Sequence, residues 1–159
     1  MDAEDLKNYL HEKQIAAEIL FLAQPTPTVE AAAEAVGVTP EQIVKSVLFM
    51  VRDGDPTARP VLVIGHGKAP IDQRRLAQYL QVGRKRVRLA TPAQVETHTG
   101  YAAGTVPPFG HPQPIPTLMD AGITRLKEVF AGGGAMNALM RLAVAELQRV
   151  TAADIVPLT

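Results

Sequence analysis

The sequence predicts an α+β domain. Three observations carry that reading: short apolar runs separated by turn-forming residues, short helical stretches that open on capping residues, and an order of the two that does not alternate. The 159 residues suit one domain, taken as 1–159, with a single sizeable core. A chain 47% hydrophobic and 20% charged is composed like a soluble globular protein rather than a disordered or fibrous one.

Residues 2–14 form a first helix, with Leu6, Tyr9 and Leu10 on one side and Lys7, Glu12 and Lys13 on the other. Residues 15–23 form a strand that Pro25 and Pro27 end. Thr28 caps the helix VEAAAEAV, and Gly37 terminates it. Thr39-Pro40-Glu41-Gln42 is a second helix start, with a capping threonine, proline at the first position and glutamine at the third. Residues 46–51 and 60–64 are a strand pair around the turn-rich Arg52-Asp53-Gly54-Asp55-Pro56. Helical spacing over 71–80 precedes strand character over 85–89. Thr91-Pro92-Ala93-Gln94 repeats the start signal for a helix over 92–97. A proline-rich loop, 100–116, leads into strands at 117–120 and 128–131, which Gly132-Gly133-Gly134 interrupts. Over 135–150, alanine, leucine and methionine favour one long helix by propensity.

Several classes of function are excluded at this level. With no cysteine there are no disulfides, thiolate nucleophiles or cysteine-ligated zinc, which also fits the cytoplasm. The first twenty residues contain Asp2, Glu4, Asp5 and Glu12 and no apolar run, so no signal peptide is expected. No stretch approaches the roughly 20 apolar residues of a membrane span, so no membrane partner is expected. Acidic and basic residues balance at 16 each, so a nucleic-acid partner has to be met by a local patch. Nucleophile-elbow, zincin, phosphate-loop and dinucleotide motifs are missing. His11, His66, His98 and His111 lack metal-ligand spacing, so neither metal nor cofactor is expected.

Chemistry then has to rest on positioned donors. Lys45 opens KSVLFMV, with its stem near apolar packing and its ammonium at the sheet edge. There it can bind a carbonyl oxygen, a phosphate or a ribose hydroxyl, or simply snorkel at the start of a strand. In the loop, Gly104, Thr105 and Val106 each bring an N–H, whereas Pro107 and Pro108 bring none and stiffen the chain beyond them. Gly104 and Gly110 permit close approach or sharp turning, and Phe109 supplies an apolar wall. The arrangement suits a small pocket whose amides face a carbonyl or carboxylate oxygen; a rigid connector is the plain alternative. RKRVRL puts Arg84, Arg86 and Arg88 on one strand face and Val87 and Leu89 on the other. With Arg74 and Arg75 these form either a phosphate patch for RNA or a charge-protected edge strand. Aromatic residues, at 4%, are too few for a base-stacking platform. GHGK, at 65–68, lacks the spacing of a phosphate loop and is a strand-ending turn.

Taken in order, five segments resemble a known family: Lys45 at the head of KSVLF, the loop GTVPPFG at 104–110, PTLMD ending at Asp120, AGGG at 131–134, and AVAELQRVTAADIV. They are similar to the YbaK/EbsC family and to the editing domain inserted in bacterial prolyl-tRNA synthetases, over about residues 17–156. The resemblance implies a mixed, barrel-like β-sheet surrounded by helices, with a strand near 138–142 and a short helix from 144 in place of one long helix. It implies a free-standing trans-editing protein that hydrolyses mischarged aminoacyl-tRNA, often tRNA for proline, without an enzymic nucleophile or a metal. The implied partners are the tRNA acceptor end and, as a further candidate, prolyl-tRNA synthetase.

Carried onto this chain, the resemblance gives Lys45 the phosphate, ribose or carbonyl of the substrate, and gives Gly104, Thr105 and Val106 the acyl carbonyl. Pro108 and Gly110 shape the loop, Asp120 takes the α-ammonium or braces the loop, and Gly132 and Gly133 admit the terminal adenosine. His111 either touches substrate or lies at the surface. Two departures bear on specificity: Ser46 stands where alanine-specific members commonly have asparagine, and Thr105 where a second glycine is frequent. The amino acid removed is therefore open among alanine, cysteine, serine and threonine. A non-catalytic module that binds tRNA or a synthetase, and a hydrolase of small free esters, are the competing readings.

Overall fold

Capping chemistry sets where the helices begin. In the computed structural model, which describes residues 1–54 and 56–159, helix α1 (Ala3–Glu12) opens on Asp2. Its carboxylate accepts from the Glu4 and Asp5 N–H groups at 3.0 Å each, and the Asp5 carboxylate accepts from the Asp2 N–H at 2.9 Å. Leu6 and Leu10 are buried on the inner side, as their spacing predicts. Strand β1 (Ala17–Phe21) comes next. Helix α2 (Val29–Val36) runs from the Thr28 cap to the left-handed Gly37, matching the sequence reading. The Thr39 signal behaves differently: Pro40–Gln42 makes one tight 3-10 turn with no side-chain cap, because the chain at once becomes strand β2 (Val44–Val51).

Strand β2 pairs antiparallel with β3 (Arg59–His66) over its full length. Val61 and Val63 pack on helix α3 (Gln73–Leu80) through Leu76, while Leu62 and Ile64 face other parts of the core. Cover on both faces explains why these strands read as continuous apolar runs rather than alternating ones. Asp72 caps α3 by accepting from the Arg74 and Arg75 N–H groups.

The arginine-rich stretch departs from expectation. Arg84–Arg86 forms a 3-10 turn, and only β4 (Val87–Leu89) is strand, so Arg84 and Arg86 do not share a strand face with Arg88. All three arginines are exposed, and Leu89, placed by alternation on the face opposite them, is 60% exposed at the sheet edge. Helix α4 (Pro92–Thr99) begins in a full Thr91–Gln94 capping box.

After the proline-rich loop come β5 (Thr117–Asp120), β6 (Glu128–Gly132), β7 (Ala138–Ala143), α5 (Val144–Thr151) and β8 (Asp154–Val156). Propensity fails over 135–150 because β7 is the central strand of an antiparallel sheet in the order β1-β7-β6, where burial outweighs helix preference. The second sheet, β4-β2-β3-β5-β8, is mixed, with β5 parallel to both β3 and β8. The fold is thus α+β, as the sequence predicts. The sheet does not close into a barrel: the two sheets meet through one parallel bridge, Ile43 to Phe130, and the short strands β4 and β8 leave the larger sheet's edges open. The main core lies between the sheets, with Leu6, Tyr101, Phe109, Met119, Met140 and Leu147 among its members. Among the described residues no helix is long and apolar enough to cross a membrane.

Glu146 ties α5 to the start of β1. Its carboxylate accepts from the Ala16 N–H at 2.7 Å and from the Arg149 guanidinium at 2.6 and 2.9 Å. The Arg149 bonds, then the Ala16 bond, pull its pKa from 4.5 to about 2. A depressed carboxylate stabilises the fold fully above the unfolded value and loses that contribution as pH falls through the folded one. Urea midpoints should therefore show Glu146→Gln less stable than wild type near neutrality, with the gap closing as pH falls from about 4.5 towards about 2.

Candidate active site

Along residues 44–48, strand β2 has a β-ladder partner on one side only. β3 pairs with all of β2, but β4 reaches only Phe49 to Val51, and the Ala90 N–H adds a single bond to the Leu48 carbonyl. At the open side lies a cavity of about 200 Å³. One wall is Ile43, Val44, Lys45 and Ser46; the facing wall is Gly104 and Val106 of the loop with Ala131 and Gly132 of β6. Residues 26–29, Ala32 of α2 and Leu139 of β7 complete it. Five residues predicted for the site, Lys45, Ser46, Gly104, Val106 and Gly132, therefore come together from distant parts of the chain.

Lys45 is half-buried, and its ammonium has no ion pair or hydrogen bond among the described residues. Its cross-strand neighbour is Gly65, where an added Cβ would come to 2.8 Å from Ile71 Cδ1 and 3.9 Å from Lys45 Cε. Glycine there leaves room for Ile71, and the lysine stem passes at ordinary contact distance. Beside it, the Ser46 Oγ is sealed from water and has no hydrogen-bond partner.

The loop is buried from Thr105 to Gly110. Buried loop backbone has to satisfy its amides, and Pro107 and Pro108 remove two of them. Gly104 has φ of +88°, a conformation other residues resist. The Gly104 and Val106 N–H groups have no partner among the described residues. Thr105 differs from its neighbours. Its N–H and its hydroxyl both donate to the Ala102 carbonyl, at 3.0 and 2.7 Å, and its own carbonyl accepts from the Gly134 N–H at 3.0 Å. Of the three loop amides, two are thus unpartnered and one is spent inside the protein.

The remaining predicted residues lie elsewhere. Pro108, Gly110 and His111 line a separate hollow of about 370 Å³, together with Tyr9 and Lys13. Phe109 is buried, stacks on Tyr9 at 6.1 Å and lines this same hollow, so it is no part of the Lys45 cavity wall. His111 Nε2–H donates to the Pro107 carbonyl at 2.9 Å, and burial pushes the imidazole pKa down. Asp120, 1% exposed, accepts from the Leu158 N–H at 2.7 Å, the Gly122 N–H at 3.1 Å and the Thr159 hydroxyl at 3.2 Å, with His66 Nε2 at 3.3 Å. It clasps the C-terminal segment and is absent from the cavity wall. An added Cβ on Gly133 would come within 2.7 Å of the Ala138 carbonyl, so that glycine serves the β6–β7 turn. An added Cβ on Gly132, a cavity residue, would land on the Val106 carbonyl and 3.1 Å from the Thr105 carbonyl, so Gly132 admits the loop. Arg88 pairs with Met50, about 17 Å along β2 from Lys45.

Sequence reasoning missed the wall formed by residues 26–29, Ala32 and Leu139. These small and apolar residues carry no chemical signature; Thr28 shows only as a helix cap.

Fold and site define an open, two-sheet α+β protein with a small cavity walled partly by main chain. Residues 23–150 match the family model described as the aminoacyl-tRNA editing domain, and the chain belongs to that family. A Bacillus subtilis protein, YwhH, described as uncharacterized, is 32% identical over 120 residues, covering 76% of this chain and 72% of that one. The proline–tRNA ligase of Limosilactobacillus fermentum is 30% identical over 111 residues, 68% of this chain and 19% of the ligase. The chain thus spans about a fifth of such a ligase. The crystal structure of a proposed trans-editing enzyme for prolyl tRNA synthetase matches with a TM-score of 0.87 at 34% identity, covering 99% and 96% of the two chains.

If Gly132 serves loop packing, Gly132→Ala should destabilise the fold by about 1–3 kcal/mol in urea unfolding. A glycine kept for a nucleoside would leave unfolding unchanged.

Proposed function

We propose that residues 1–159 act as one domain that deacylates mischarged aminoacyl-tRNA in the cytoplasm, with tRNA for proline carrying a small non-cognate amino acid as substrate. The observation that carries this reading is the pairing, across one small cavity, of an unpartnered lysine with two unpartnered backbone amides. Pockets for drug-sized ligands run from about 300 Å³ upward, so a 200 Å³ space suits an aminoacyl group, with the nucleotide outside it.

In the proposed reaction, water attacks the ester carbonyl carbon. Negative charge develops on the carbonyl oxygen, where the Gly104 and Val106 N–H groups donate to it. Such donors are worth roughly 3–4 kcal/mol each in acyl transfer. Lys45 holds the carbonyl or the adjoining ribose and phosphate. The bond from the carbonyl carbon to the ribose oxygen then breaks, releasing the amino acid and restoring the terminal hydroxyl of the tRNA. The proposed chemistry uses neither a metal nor a protein nucleophile. Arg84, Arg86 and Arg88, exposed and without ion pairs among the described residues, are proposed to meet tRNA phosphates. The ligase relative makes prolyl-tRNA synthetase a candidate partner.

Lys45→Ala should lower kcat/KM on the responsive mischarged tRNA by about 100-fold or more. Its urea midpoint should stay close to that of wild type, as its ammonium makes no internal hydrogen bond or ion pair. Full activity in the variant overturns the role of Lys45; tRNA binding without turnover on any mischarged pair favours a non-catalytic module. Replacing Arg84, Arg86 and Arg88 with alanine should weaken tRNA binding and flatten its salt dependence by about one slope unit for each phosphate no longer neutralised. A salt response unchanged from wild type would remove the arginines from the interface.

A further inference from the structure

The edge of β2 that faces away from β3 is shared by two strands, which leave a gap between them. At one end Ile43 bridges Phe130 of β6; at the other, Phe49–Val51 pairs with β4, and the Ala90 N–H bonds the Leu48 carbonyl. In a strand, one residue's N–H and C=O point to the same edge, and successive residues point to alternate edges. Leu48, bonded to Ala90, and Arg52, bonded to Arg86, fix the even-numbered residues as those facing this edge. The N–H and carbonyl of Ser46 therefore look into the middle of the gap. Extending the β4 register past Ala90 brings Pro92 opposite Ser46, and proline has no N–H to donate. Helix α4 starts there instead, so the Ser46 carbonyl gains no partner from β4. Ser46 is half-buried although its Oγ is sealed, so what it shows to the cavity it lines is main chain and Cβ.

Lys45 and the Gly104 and Val106 N–H groups all donate, whereas the α-ammonium of an aminoacyl ester needs an acceptor. Asp120, to which the family resemblance gives that ammonium, is bound to the C-terminal segment, and among the described residues no carboxylate lines the cavity. The Thr105 carbonyl already accepts from the Gly134 N–H, and the Thr28 hydroxyl from the Ala31 N–H. The Ser46 carbonyl is an open acceptor on the wall across from the loop. In an aminoacyl ester the ammonium and the carbonyl oxygen sit on adjacent carbons, so a group lying between the walls can turn one to each.

We propose that the main-chain carbonyl of Ser46 receives the substrate's α-ammonium, so that the site takes esters with a free α-amine and rejects acyl groups that lack one. The proposal rests on the deacylase reading of the same site and deepens it. The bond is charge-assisted, which makes it stronger than one between neutral groups. Lys45 then goes to the ribose and phosphate, because two cations in one small cavity repel.

The test compares alanyl with propionyl, and seryl with hydroxypropionyl, as esters of tRNA for proline, each rate divided by that of the uncatalysed hydrolysis. Wild type is expected to favour the amino ester of the pair it hydrolyses by about tenfold to hundredfold in kcat/KM. Replacing Val47 by its α-hydroxy acid turns the Ser46 carbonyl into an ester carbonyl, a weaker acceptor, and should cut that preference by about threefold or more. The same replacement at Phe49 also removes one N–H from the ladder with β3 but weakens the Leu48 carbonyl, and should leave the preference intact. Thr26→Val, which removes a hydroxyl from the cavity wall, should leave it intact as well. Equal normalised rates in wild type, a preference untouched by the Val47 replacement, or one lost in Thr26→Val overturns the proposal while the deacylase reading stands. Should no ester be hydrolysed, the deacylase reading fails. The ammonium site is then read from calorimetric Kd values for amide-linked alanyl- and propionyl-adenosine: tighter binding of the alanyl compound supports it, and equal affinities overturn it.

Discussion

The approach of the Val106 carbonyl to Gly132 is the contact on which the site depends. It lets a buried loop lie directly on the end of β6, with no side chain between the two backbones. The Gly134 N–H, donating to the Thr105 carbonyl at 3.0 Å, fastens the same join. Since Thr105 to Gly110 are buried, the loop is held by packing rather than by surface tethers. Its consecutive prolines make that burial tolerable by contributing no amides that need partners. The Gly104 and Val106 N–H groups are left unpartnered by this arrangement, and both residues line the cavity beside the open edge of β2.

The same economy governs charge. Among the described residues Lys45 is the one charged side chain on the cavity wall, and no countercharge pairs with it. An ammonium without a partner, next to apolar walls, is attracted to any oxygen that enters. Asp120 is engaged with Leu158, Gly122 and Thr159 and does not line the cavity. The clasp and the cavity are thus separate devices.

Much of the fold was legible because local chemistry and tertiary structure agree. Thr28, Gly37, Thr91 and Gln94 mark helix ends by hydrogen bonds formed within a few residues, and those ends fall where the residues predict. Local pattern misleads where a distant partner decides. Ala138–Ala143 is strand because β1 and β6 flank it, a fact absent from its own composition. Arg84 to Arg88 alternates like a strand, yet β2 offers a ladder only as far as Val51 and Val87, so the preceding residues turn. The site divided in the same way. Lys45 and Gly104 were recognisable from chemical type. The inward turn of Thr105 depends on the Ala102 carbonyl in a tight turn, and the function of Gly132 depends on a loop from elsewhere in the chain.

A cavity with one side made of peptide backbone is adjustable only from the other. Substituting Gly104 or Val106 alters how the chain bends without moving the amides independently of one another. Changes in size or polarity have to come from β2, from α2 and from Leu139, whose side chains form the opposing surfaces. Divergence among members of such a lineage should therefore concentrate on those surfaces while the bend itself stays constant, much as a lock is rekeyed by changing its pins and not its housing.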